Sequence, residues 1–232
     1  MDFLVSYFSN EYYIELLNAI IAFIAICLPI KTTNQFLIYF KIYFAVYLLL
    51  LATTCYSHYH YFAFKKFYKP LVYFQNGFDF LFTILEFLVF YRALSFYVHR
   101  WVRLTILSSF LALGIVLWAK SMIEVGFVTE DYLFMFFTLQ SISLLPICVG
   151  YFYTIFKFNQ GLELSREPTF WLATGLTFFS LCTLPFSLVS RYLLITDAAL
   201  LVQLFPIFHV FYVLLFLMTL KAFLCPRATH SS

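Results

Sequence analysis

Residues 198–222 read AALLVQLFPIFHVFYVLLFLMTLKA, twenty-five positions whose one charge, Lys221, comes at the end. A helix rising about 1.5 Å per residue needs about 20 apolar residues to cross about 30 Å of hydrocarbon, and this stretch is long enough to do so. The pattern recurs. Working back towards the amino terminus, similar runs lie at 169–189, 132–156, 102–122, 74–94, 36–57 and 12–30. The breaks between them carry helix-stopping or charged groups: Lys31 to Asn34, Lys65 to Pro70, His99 to Arg103, Thr129 to Asp131, Asn159 to Pro168 and Arg191 to Asp197. The runs do not alternate apolar and polar residues, which a membrane β-barrel requires, and a helix satisfies its own backbone in lipid. The expected fold is all-α, one polytopic transmembrane bundle of seven helices filling residues 1–232.

Composition agrees with lipid as the solvent. Of the 232 residues, 64% are hydrophobic, 23% aromatic and 11% charged, too few charges to disperse a soluble domain of this size. The net charge of +3 comes without a basic stripe interleaved with aromatics, so nucleic acid is not an expected partner. The five cysteines, Cys27, Cys55, Cys148, Cys182 and Cys225, have no paired spacing and read as small hydrophobes rather than a disulfide framework. Cys225, just past the last run, is the one placed for acylation. The opening MDFLVSYFSNEYY lacks the basic region and cleavage site of a secretory signal, so the first span is expected to be retained.

Lysine and arginine near span ends set the orientation. With the amino terminus outside, nine of them (Lys31, Lys41, Arg92, Arg100, Arg103, Lys157, Arg166, Lys221, Arg227) fall on the cytoplasmic side and five (Lys65, Lys66, Lys69, Lys120, Arg191) outside. That balance puts the carboxyl terminus in the cytoplasm. Trp101 and Trp118, 17 residues or about 25 Å of helix apart, read as anchors at the two interfaces. Lys41, just inside the second span, reads as snorkelling to the headgroups.

Ionisable groups within spans cost about 2.5–3.5 kcal/mol at the helix centre and usually face the bundle interior, so they are the first candidates for a site. On the third span Asn76, Asp79, Thr83 and Glu86 follow steps of three, four and three and share one face. Glu86 falls near the bilayer midplane. His209, 11 residues into the seventh span, lies at a similar depth, so the two could share a proton if their helices meet. The bland alternative is that each bonds a neighbouring helix. Glu15, Asn18, Gln140, Ser141, Ser143 and Gln203 could line the same outer half, which makes the expected site an outward-opening polar cavity. The stripe Thr174, Thr177, Ser180, Thr183 reads as packing. Pro146, Pro185 and Pro206 should bend their spans. His58 and His60, read as part of an extended loop, supply two imidazoles without a third ligand, so no metal or other cofactor is expected.

Several seven-helix classes are excluded by particular residues. Arg92 sits in Tyr91-Arg92-Ala93, and the proline of the seventh span follows Phe205, neither of which matches a G-protein-coupled receptor. A retinal protein needs a lysine within the seventh span, and Lys221 lies at its end. No GxSxG, HExxH or facing pair of aspartates marks a catalytic set. The stretch Asn76-Gly-Phe-Asp-Phe-Leu-Phe-Thr-Ile-Leu-Glu86-Phe, the later Glu167-Pro-Thr-Phe-Trp171-Leu-Ala-Thr-Gly175 and the closing apolar helix with its short basic tail resemble uncharacterised small multi-helix membrane proteins of Bacteroidota-type bacteria. The resemblance implies a bacterial inner membrane and, for some such proteins, a companion signalling kinase. In the residues themselves, Glu167-Pro168 suits a helix start, since proline there loses no needed donor and the carboxylate faces the positive end of the dipole.

The expected function is that of a sensor of a small molecule or lipid, or of a membrane partner to a signalling protein. The alternative is a proton-coupled carrier using Glu86, and the third an intramembrane lipid enzyme.

Overall fold

The computed structural model describes residues 2–28, 36–64, 68–158 and 164–225. They form seven helices: α1 (Asp2–Cys27), α2 (Phe36–Phe64), α3 (Tyr68–Leu94), α4 (Arg100–Val125), α5 (Glu130–Phe158), α6 (Pro168–Thr196) and α7 (Ala198–Leu224). Single 3-10 turns stand at Ser95–Tyr97 and Leu164–Arg166, and no strand occurs among the described residues. Lys31, Lys65, Lys66 and Arg227, which entered the charge balance, lie outside the described residues.

Six of the helices are long and apolar enough to cross a membrane; the apolar part of α1, Tyr13–Cys27, is shorter. Most helices outrun the apolar runs that announce them. α2 continues to Phe64, so positions 58 and 60 are helical and not in an extended loop. Nothing between residues 36 and 64 is a proline or glycine, and a helix does not stop where hydropathy falls. α3 begins at Tyr68 with Pro70 in its first turn, where the missing donor costs nothing. α6 runs past Val189 to Thr196, and there Arg191 Nε donates to Asp131 Oδ1 of α5 at 2.7 Å.

The contacts close a ring in the order α1, α2, α3, α5, α6, α7 and back to α1, while α4 stands outside it and leans mainly on α5. α1 turns Asn18, Ile21, Ala22 and Ala25 inward, a stripe at helical spacing that seats it between α2 and α7. α6 and α7 approach closely at Gly175, where a Cβ would meet Met218 Cβ at 2.7 Å. Large side chains such as Phe23, Leu49, Leu81, Ile115, Val149 and Leu181 are exposed on the outside of the bundle. So much apolar surface suits acyl chains and not water.

The helix ends are closed by specific groups. Gly126 takes the left-handed conformation (φ 84°) that ends α4, its N–H donating to Met122 O. Pro168 opens α6 as expected, and Asp197 accepts from Leu200 N at 3.1 Å to open α7. Lys41 departs from expectation. Its Nζ donates to Ile26 O at 2.8 Å and Leu28 O at 2.6 Å, so it satisfies carbonyls at the end of α1 rather than reaching for headgroups. Cys225, the expected acylation position, is buried with Sγ 3.8 Å from Ser165 O.

Candidate functional site

The ring has a polar centre. Glu86 is completely buried at the midpoint of the Gln75–Tyr97 span. Tyr43 Oη of α2 donates to its Oε1 at 3.0 Å, Gln140 Nε2 of α5 to Oε2 at 2.9 Å, and Tyr212 Oη of α7 reaches Oε2 at 3.4 Å. One carboxyl group thus ties four helices. Burying a carboxylate without partners is costly, and three donors aimed at its two oxygens are the compensation the fold supplies.

Aromatic rings hold the donors in place. Tyr43 stacks on Phe82 at 5.1 Å and meets Phe216 edge-on at 6.0 Å. Tyr212 meets Phe179 at 4.7 Å and Phe208 at 5.2 Å. Such contacts restrict the swing of each ring and so hold the direction of its hydroxyl.

The other expected residues divide between structural and central positions. Asn76 Nδ2 donates to Val128 O at 3.1 Å, pinning the start of α3 to the segment between α4 and α5. Thr83 is buried with Oγ1 bonded to its own helix at Asp79 O, 2.7 Å away, and Asp79 is half-buried. Gln140 belongs to the centre. The α7 side chain bonded to Glu86 is Tyr212, while His209, one turn earlier and half-buried, packs its ring against Phe205 at 5.4 Å and Phe208 at 6.3 Å. Gln203 is exposed on α7. Glu15 is half-buried on α1, within electrostatic reach of Tyr47, whose hydroxyl also stands beside Asn18. Asn18 is completely buried, and neither its Oδ1 nor its Nδ2 has a hydrogen-bond partner among the described residues. Ser141 and Thr183 bond each other at 3.0 Å across α5 and α6, and Thr174 and Thr177 bond their own backbone, in keeping with a packing stripe.

Tyr43 and Tyr212 are the residues that sequence reasoning missed. Among 18 tyrosines in aromatic-rich helices, nothing local separates a hydroxyl aimed at a carboxylate from one at an interface. Depth was the usable signal, because Tyr212 lies at the middle of its own span, Ala199–Leu224, just as Glu86 does. A tyrosine at mid-depth must satisfy its hydroxyl inside the protein.

Fold and site together define a multi-pass α-helical integral membrane protein with a carboxyl-centred hydrogen-bond cluster. No protein-family model, no curated protein and no solved structure matches the chain.

Proposed function

We propose that this protein is a membrane-embedded sensor of a small molecule or lipid, whose helix arrangement is set by the Glu86 cluster and read by a signalling partner at the cytoplasmic ends. The observation that carries this reading is the convergence of α2, α5 and α7 on one side chain of α3. Helices tied through a single group respond together when that group changes partners, which is what a bistable sensing element needs. α1 serves as the seventh span, with the amino terminus outside, the carboxyl terminus inside, and a bacterial inner membrane as the location. The charge balance and the seating of α1 between α2 and α7 support that topology. The exposed Arg92 and Arg100 then lie on the cytoplasmic face for a partner to read. The test is purification from native membrane in mild detergent, followed by analysis of the extracted small molecules and of captured proteins. A stoichiometric ligand and a signalling protein are expected; a preparation with neither would sink the reading.

A second reading, a proton-coupled carrier, is favoured by one observation: an ionisable carboxyl at the middle of a span. It requires uptake driven by a pH gradient in proteoliposomes that Glu86→Gln abolishes. Normal uptake in that variant removes it.

A further inference from the structure

α3 has a second face. Gly77, Leu81 and Ile84 lie about half a turn from the stripe of Asn76, Asp79, Thr83 and Glu86, and they border a cleft of about 510 Å³ whose opposite wall is α4. The two helices touch near their shared turn. There Phe87 stacks on Phe110 with centroids 3.7 Å apart, and Tyr91 Oη donates to Arg103 O at 3.1 Å. Towards the other end they part, and Phe136 of α5 forms the floor, 4.4 Å from the Phe80 ring and 5.2 Å from that of Phe110. Gly114 admits the floor, since a Cβ there would come within 2.9 Å of the Phe136 ring.

We propose that this cleft holds one acyl chain of a bilayer phospholipid, entering sideways between α3 and α4. The side chains that line it carry no charge and no strong hydrogen-bonding group beyond the indole N–H of Trp118, so it offers a headgroup or a polar metabolite almost nothing to bond. It lies between two segments of membrane-spanning length, where the molecules outside the protein are hydrocarbon. Its walls run about 10 Å along α3, from Gly77 to Ile84, and about 18 Å along α4, from Phe110 to Met122, close to the ~15 Å of one leaflet's hydrocarbon. Leu81 of α3 and Ile115 of α4, on its two walls, are exposed on the outside of the bundle, so the cleft opens directly to the hydrocarbon alongside. Leaving the space empty would forfeit the dispersion contacts of its lining. Trp118, expected as an interface anchor alone, also contributes its ring to the cleft wall. The site lies on the side of α3 away from Glu86 and stands whether or not the sensor reading does.

Gly77 supplies the test, because a Cβ there meets nothing within 4 Å and a larger side chain would fill the cleft without a clash at its base. Single-tryptophan proteins retaining Trp118 or Trp101 are reconstituted in phosphatidylcholine vesicles in which dibrominated chains replace ordinary ones stepwise. Trp118 fluorescence is expected to be quenched at a lower share of brominated lipid than Trp101, and Gly77→Leu to abolish that excess while leaving Trp101 unchanged. Native mass spectrometry of the detergent-extracted protein should show one retained phospholipid that Gly77→Leu loses. Equal quenching of the two tryptophans, or an excess unaffected by Gly77→Leu, overturns the proposal. So does a dimer that Gly77→Leu dissociates, which would put a second copy in the cleft.

Discussion

Glu86 and Gln140, 54 residues apart in sequence, meet at 2.9 Å at the centre of a ring of six helices. The bond joins the middle of α3 to α5, and with Tyr43 and Tyr212 it makes the carboxyl group the point where four helices agree on position.

Removing that group leaves donors behind. Glu86→Ala strands the Gln140 amide and the Tyr43 hydroxyl, and is expected to lower the unfolding free energy by about 1–3 kcal/mol. Glu86→Gln keeps one carbonyl acceptor and should cost less. Unfolding curves in mixed micelles rank the two variants, and Glu86→Gln proving the more damaging would contradict the assignment of the three donors.

The two tyrosines should not be equivalent. Tyr43 bonds Glu86 at 3.0 Å and Tyr212 at 3.4 Å. Tyr43→Phe is expected to cost about 0.6 kcal/mol, the average for an interhelical bond in a membrane, and no more than about 1.7 kcal/mol, and Tyr212→Phe less than Tyr43→Phe. The same unfolding measurement decides, with the reverse order as the adverse result.

Two glycines predict opposite outcomes for the same change. Gly175→Ala places a Cβ 2.7 Å from Met218 Cβ, an atom that cannot swing aside, and should destabilise the α6–α7 pair by about 1–3 kcal/mol. Gly77→Ala meets open space within α3 and should stabilise the protein by up to about 1 kcal/mol through helix propensity. Equal melting temperatures for the two would refute the close approach of α6 and α7.

Lys41→Met tests the closure of α1. Losing the bonds to Ile26 O and Leu28 O should fray the last turn of that helix, at a cost of about 1–2 kcal/mol after allowing for the partial exposure of the ammonium. Hydrogen exchange over residues 24–28 should accelerate while the middle of α3 keeps its protection. No local change there would return Lys41 to the headgroups.

How much of this was legible beforehand differs from residue to residue. The inward face of α3 could be read at Glu86 because steps of three and four place four polar residues on one side of a helix, and lipid penalises any other direction. The standing of α4 outside the ring could not, since its run is as apolar as the others and hydropathy records only the presence of hydrocarbon. The cleft escaped for a related reason: Gly77, Leu81 and Ile84 look like any lipid-facing stripe until a neighbouring helix diverges from them.

What the sequence determined by itself was the solvent, the helical class and the depth of each costly side chain, because these follow from one-dimensional spacing at about 1.5 Å per residue. Tertiary structure decided which helices are neighbours, and so that Tyr212 bonds Glu86 from α7 and that α3 and α4 part around a cleft. Partners are chosen by packing between surfaces far apart in the chain, and in a bilayer close fit and interhelical hydrogen bonds set the pairing, which no single segment encodes.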